Sequence, residues 1–95
     1  MEFEWDPAKD AANLAKHGVS FAQAARVFAD PRRLERIDRR QDYGEERRQT
    51  IGAVDGRVLL LAYTLRGRRV RLISARRAHD HEERAYRQGQ ADTRR

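Results

Sequence analysis

The apolar positions change period partway along the chain, and the change divides it into a helical part and a strand part. Phe3-Glu4-Trp5 alternates and predicts a short strand. Asp6-Pro7 then has the form of a helix start, with Asp as N-cap and Pro in the first turn, where its missing N–H costs nothing. Ala8, Ala11, Ala12 and Leu14 supply a small apolar face. Lys16 and His17 occupy the last turn, and Gly18 follows where a left-handed cap is wanted, so this helix is expected over 7–17. Asn13 on that helix either holds a loop through hydrogen bonds or is exposed. A second helix begins at once: Ser20 and Gln23 have capping-box spacing, and Phe21, Ala24, Ala25, Val27 and Phe28 form a stripe that Asp30-Pro31 ends.

From residue 33 the period becomes strand-like. Leu34 to Asp38 reads as a strand, followed by a polar loop from Arg39 to Gly44. Arg47 to Val54, Asp55-Gly56 and Val58 to Leu65 read as a hairpin, because Asp-Gly suits the positive-φ positions of a tight turn. Arg66-Gly67-Arg68 turns the chain into a further strand, Arg69 to Arg76. Val58 to Tyr63 is apolar on successive residues, which predicts a central strand covered on both faces. A last helix is expected over 79–88, with Asp80 and Glu83 as its capping box, and 89–95 reads as a polar tail. The fold class is α+β: an antiparallel sheet of a short N-terminal strand plus a C-terminal meander, with two N-terminal helices and one C-terminal helix. Residues 1–88 make one domain, and there is no internal repeat.

Composition narrows the function classes. The 95 residues include no Cys, so neither disulfides nor thiolate chemistry enters, in keeping with a reducing compartment. The longest apolar run, Val58 to Tyr63, is far too short to cross a bilayer, and the first residues show no basic leader. A cytoplasmic protein with no membrane partner is therefore expected. Charge is unevenly placed: residues 1–30 hold three Lys/Arg against five Asp/Glu, and residues 31–95 hold eighteen against ten. Nineteen of the 21 cations are Arg, whose planar fork grips phosphate and stacks on bases, so nucleic acid is a natural partner. An Arg-rich solvated surface explains the same composition without a ligand.

Three ordered motifs add to this reading. They are Trp5-Asp6-Pro7 with Lys9 and Asn13; Lys16 to Phe21 with Ala24; and Arg71 to Arg76 followed by Glu82 or Glu83 and Tyr86. Together they resemble the BrnT toxins of bacterial type II toxin–antitoxin systems, over about residues 3–88. The resemblance implies a RelE-like fold and a ribonuclease activity that arrests growth. It also implies a cognate BrnA-like antitoxin with a ribbon-helix-helix domain, through which the complex reaches its own operator DNA.

RNA can be cut without a metal if its 2′-hydroxyl attacks the neighbouring phosphorus. A base must take the hydroxyl proton, an acid must protonate the departing 5′-oxygen, and cations must meet the extra charge of the transition state. Arg71 and Arg76, at the end of the last strand and within the family-like motif, are the first candidates for the cationic role, with Arg47 and Arg69 as RNA-binding neighbours. Strand alternation places Arg71 and Arg76 on opposite faces unless the strand twists or ends between them. Lys16 and His17 are the candidate proton-transfer pair, because the motif includes both. Tyr86 either stacks on a base or packs its ring between the last helix and the sheet. Each Arg can equally be an ion-pair partner of Glu45, Glu46 or Glu83. His79-Asp80-His81-Glu82-Glu83 contains potential ligands, but its spacing does not match a zinc helix and reads as a wet, capped helix end. No metal and no cofactor are expected.

The leading function is a metal-independent endoribonuclease acting on cellular RNA. Two alternatives stay open: a module that binds nucleic acid without cutting it, and a ParE-like inhibitor of DNA gyrase on the same scaffold. Convergence of Lys16, His17, Arg71 and Arg76 in one cleft would favour cleavage, and scatter would favour binding.

Overall fold

The computed structural model describes residues 1–40 and 44–92. In chain order they form β1 (Glu2–Glu4), α1 (Pro7–His17), α2 (Phe21–Ala24) continuing as a 3-10 helix (Ala25–Ala29), β2 (Leu34–Asp38), β3 (Arg47–Val54), β4 (Arg57–Arg66), β5 (Arg69–Arg77) and α3 (Asp80–Asp92). Gln41, Asp42 and Tyr43 of the expected loop, and residues 93–95 of the expected tail, lie outside the described residues.

The α+β class is as expected. The strands form one sheet in the order β1-β5-β4-β3-β2. β2 to β5 pair antiparallel, whereas β1 joins β5 in parallel, so the sheet is mixed. No hairpin links β1 to its neighbour, and nothing therefore imposes an antiparallel direction on it. β4 is central, as its unbroken apolar run predicts. Leu59, Leu61 and Tyr63 enter one core with Phe21, Val27 and Leu72; Val58 and Leu60 enter a second core with Ile51 and Tyr86. The first core lies under α1, α2 and the 3-10 helix, and α3 covers part of the opposite face. Trp5 packs against the first core, edge-on to Phe21 at 6.2 Å between ring centroids.

Local signals act largely as anticipated. Asp6 accepts a hydrogen bond from the Ala8 N–H at 2.8 Å, and Gly18 closes α1 at φ 70°. The Asp55-Gly56 turn has positive φ at both residues, 51° and 80°. Ser20 caps α2 by accepting from the Gln23 N–H at 3.1 Å.

Four details differ. The alanines of α1 do not form a buried face: Ala8, Ala11 and Ala12 are exposed, Leu14 is 51% exposed, and the buried residue of that helix is Asn13. The second helix tightens to 3-10 geometry after Ala24. It lies directly on β3, where a Cβ on Gly52 would come within 2.8 Å of Val27 Cγ1. Helix α3 is capped one residue earlier than expected, because Glu82, not Glu83, reaches back to the His79 N–H at 2.8 Å. Finally, α3 runs on through Gly89 to Asp92. Gly89 sits against the Leu34 side chain, where a Cβ would stand 3.0 Å from Leu34 Cδ2, so it serves close packing and not helix termination.

The edge strands are short, and side chains take over where they stop. Beyond the end of β1, the Asn13 carboxamide donates to the Ala75 carbonyl at 2.8 Å and accepts from the Ala75 N–H at 3.1 Å, while also donating to the Val19 carbonyl at 2.9 Å. Beyond the paired residues of β2, Asp30 accepts from the Ala53 N–H at 2.9 Å and from the Tyr86 hydroxyl at 2.5 Å. Burial works against the Asp30 charge, but the Ala53 and Tyr86 hydrogen bonds outweigh it and hold the carboxyl below its ordinary range. Both orphaned backbone segments are thus satisfied by polar side chains from the helical layer.

Candidate nucleic-acid interface

The face of the sheet opposite α1 and α2 carries the arginines, and its composition is set by one irregularity in β5. Leu72 pairs with Tyr63 and Ser74 with Ala62, so Ile73 is an extra residue, a β-bulge. A regular strand would put Arg71 and Arg76 on opposite faces. With the bulge, Arg71 pairs with Thr64 and Arg76 with Leu60, which lie on the same face of β4. The expectation of opposite faces is therefore corrected. By the same register Arg69, and across the sheet Arg36, Arg47 and Gln49, belong to this face.

The arginines are held in different ways. Arg69 and Arg71 lie beside β1, whose acids answer them: Arg69 stands 3.5 Å from Glu2 and 4.0 Å from Glu4, and Arg71 stands 3.6 Å from Glu4. Arg48 pairs with Glu46 at 2.9 Å, Arg66 with Glu45 at 3.8 Å and Arg87 with Glu83 at 3.2 Å, as ordinary surface ion pairs. Arg76 is different. Its two terminal nitrogens donate to the two oxygens of Glu82 at 2.8 and 3.0 Å, and it also donates to the Arg77 carbonyl at 3.1 Å. The Glu82 side chain is only 4% exposed. The fork–fork bond from Arg76 is the main cause that pulls the Glu82 carboxyl down to about 2, reinforced by the His79 N–H and opposed by burial. Arg36 approaches the same carboxylate at 3.6 Å from β2.

Around this pair is a cleft of about 360 Å³ bordered by Arg36, Arg39, Arg40, Gln49, Arg76 and His81, with Asp38 and Glu82 in its walls. Lys16 and His17 lie elsewhere, in a smaller cleft of about 230 Å³ at the open edge of β5, with Lys9, Asn13, Ile73 and Ser74. The two clefts share no lining residue; they approach each other along β5, where Ser74 of the smaller and Arg76 of the larger are two residues apart on one face. Lys16, His17, Arg71 and Arg76 therefore do not share one cleft, so by the criterion set out for them these four speak for binding, and a cleavage reading has to rest on the surroundings of Arg76 instead. Arg47 lies on the arginine face opposite Asp38 of β2. Tyr86 is 5% exposed, with its ring in the second core and its hydroxyl on Asp30, so as folded it presents no ring for a base to stack on.

Sequence reasoning missed Arg36, Arg39 and His81 as members of the cleft and Glu82 as its organiser. A signal for the bulge was present: Leu72-Ile73 puts two large apolar residues side by side, which breaks the alternation of β5. No comparable signal joins Arg36 to Glu82, which meet only through the sheet order. Among the described residues no group of three or more His, Cys, Asp and Glu converges as a metal site. No described helix is long and apolar enough to cross a membrane.

A small α+β domain with one strongly cationic sheet face, one arginine of which is fixed by a buried carboxylate, is of the class that meets a polyanion. Residues 5–82 match the family described as the ribonuclease toxin, BrnT, of type II toxin–antitoxin systems, and the chain belongs to that family. The resemblance noted in the sequence is thereby established, and with it a ribonuclease toxin whose system includes an antitoxin and whose target is RNA. A comparison with curated proteins finds no match.

Proposed function

We propose that the protein is a metal-independent endoribonuclease that cleaves cellular RNA in the cytoplasm and so arrests growth. The observation that carries this reading is the Arg76–Glu82 pair at the cleft bordered by Arg36, Arg39 and Arg40. A guanidinium locked by two hydrogen bonds needs no reorganisation when charge develops on a pentavalent phosphate, which is the condition for electrostatic stabilisation of that transition state. Its charge also survives at any working pH. In this reading the scissile phosphate lies over the Arg76 cleft. The separate cleft of Lys9, Lys16 and His17, which reaches β5 at Ser74, holds a further phosphate of the strand, and Arg47, Arg69 and Arg71 extend the track. A BrnA-like ribbon-helix-helix antitoxin would neutralise the toxin by covering this face, and its own domain would carry the complex to operator DNA.

The test is incubation of the purified chain with RNA in excess chelator, alone and on ribosomes, with Arg76→Ala beside it. Cleavage by the parent that leaves a 2′,3′-cyclic or 3′-phosphate end, with a loss of at least about 100-fold in the variant, is expected. RNA that is bound but left intact in both settings would instead place the protein among the binders.

A further inference from the structure

We infer that His81 is the residue that takes the proton from the attacking 2′-hydroxyl at the Arg76 cleft; this rests on the endoribonuclease reading. An arginine keeps its proton at working pH, so the cationic residues of the cleft stabilise charge but cannot relay it. Its remaining titratable side chains are Asp38, His81 and Glu82. Glu82 is spent: both oxygens accept from Arg76, one of them also accepts from the His79 N–H, and the side chain is buried. Asp38 is engaged as well, accepting from the Arg40 backbone at 3.1 Å and from its guanidinium at 2.9 and 2.8 Å, with a side chain only 4% exposed.

His81 is left. It is exposed in the first turn of α3, on the rim of the cleft, and it makes no hydrogen bond or ion pair with the described residues; its one ring neighbour is His79, with centroids 5.9 Å apart. The charged groups that face it are Arg36, Asp38, Arg39 and Arg40 from β2 and the segment after it, Arg76 from β5, and Glu82 and His79 from its own end of α3. Both acids are already paired with arginine, which leaves the His81 ring as the side chain at this rim with a nitrogen open to accept a proton.

The step is balanced without a co-reactant. A neutral imidazole nitrogen takes the 2′-hydroxyl proton, O2′ forms a bond to phosphorus, the bond from phosphorus to O5′ breaks, and O5′ acquires a proton from water. The imidazolium then returns its proton to solvent, leaving a 2′,3′-cyclic phosphate and a 5′-hydroxyl. His17, in the separate cleft, has Lys16 and Lys9 for company and stands with a further phosphate.

The experiment is a pH profile of RNA cleavage for the parent, His81→Ala and His17→Ala. Binding of the 2′-deoxy form of the same oligonucleotide is measured alongside, and imidazole is added back to the His81 variant. The expected result is a kcat about 100-fold or more below the parent in His81→Ala, with KM and 2′-deoxy binding within about twofold. The limb of the profile between about pH 5 and 8 should vanish in that variant, and imidazole should restore part of the rate. A His81→Ala rate within about threefold of the parent overturns the inference while leaving the nuclease reading intact. So does a loss that imidazole does not rescue and that keeps the acid limb, or a limb that His17→Ala removes instead. A parent chain that cleaves no RNA, free or on ribosomes, overturns both.

Discussion

Replacing Glu82 by Gln removes one charge from the centre of the arginine face while keeping the side chain's shape and an oxygen for the His79 N–H. The structure sets the size of the effect. The carboxyl falls from an ordinary 4.5 to about 2 on folding, with the Arg76 bond as the leading cause. At 1.36 kcal/mol per pKa unit this is a preference of about 3 kcal/mol for the charged form in the native state. Because the side chain is nearly inaccessible, solvent screens little of it. Glu82→Gln should therefore be about 3 kcal/mol less stable than the parent at pH 7, which is a shift of between about 1 and 3 M in the urea midpoint. The sign with pH follows from a depressed pKa. The stabilisation is complete above about pH 4.5, where the unfolded chain is also ionised, and is lost as pH falls towards about 2. The gap between parent and variant should thus narrow steadily in acid, to less than half by about pH 3. Urea unfolding of both chains at several pH values from 7 to 3 measures this. A gap under about 1 kcal/mol at pH 7 would refute the argument that the pair is fixed in place. So would a gap that stays constant down to pH 3.

Three further outcomes follow from the same structure. Tyr86→Phe removes the hydroxyl bonded to Asp30 and should cost about 1.5–3 kcal/mol in thermal or urea unfolding, yet leave RNA affinity unchanged; weaker RNA binding at unchanged stability would restore the stacking role. Gly52→Ala places a Cβ 2.8 Å from Val27 Cγ1 and 3.2 Å from Arg33 Cβ, neither at the free end of a flexible chain, so a loss of about 1–3 kcal/mol is expected and an unchanged melting temperature would count against the close packing. Arg36→Ala, at a side chain 56% exposed, should lower the slope of log affinity against log salt for single-stranded RNA by about 0.7 while barely changing stability, and an unchanged slope would take Arg36 off the RNA track.

Most of the element order could be read from the sequence because it rests on local chemistry. The Asp6-Pro7 start, the Gly18 stop, the Asp55-Gly56 turn and the doubled apolar run of β4 each act within a few residues, and each appears where expected. What was not legible depends on partners far along the chain. Asn13 is buried because β1 ends early and leaves Ala75 of β5 without a neighbour, 62 residues away. The alanines around it then turn outwards, against the apolar pattern. The candidate site divides in the same way. Arginine as the working residue type was evident from composition, and Arg76 from the family-like motif. The face on which Arg76 stands depends on a single extra residue at Ile73, and the capping acid of α3, which also holds Arg76, was placed one position late, since Glu82 and Glu83 look alike until the helix start is known.

The two side-chain caps at the ends of the sheet also bear on how the chain behaves in a crowded cell. An unpaired strand edge is a template for another chain, and stretches of β3 and β5 outlast their five- and three-residue edge partners, β2 and β1 respectively. Asn13 and Asp30 occupy those positions with groups that a neighbouring strand would have to displace. Protection of the sheet edges is thus carried by buried Asn13 and half-buried Asp30 as much as by surface charge. A substitution at either one would expose strand edge as well as weaken the fold, and aggregation would be expected to rise more steeply than the loss of stability alone would bring.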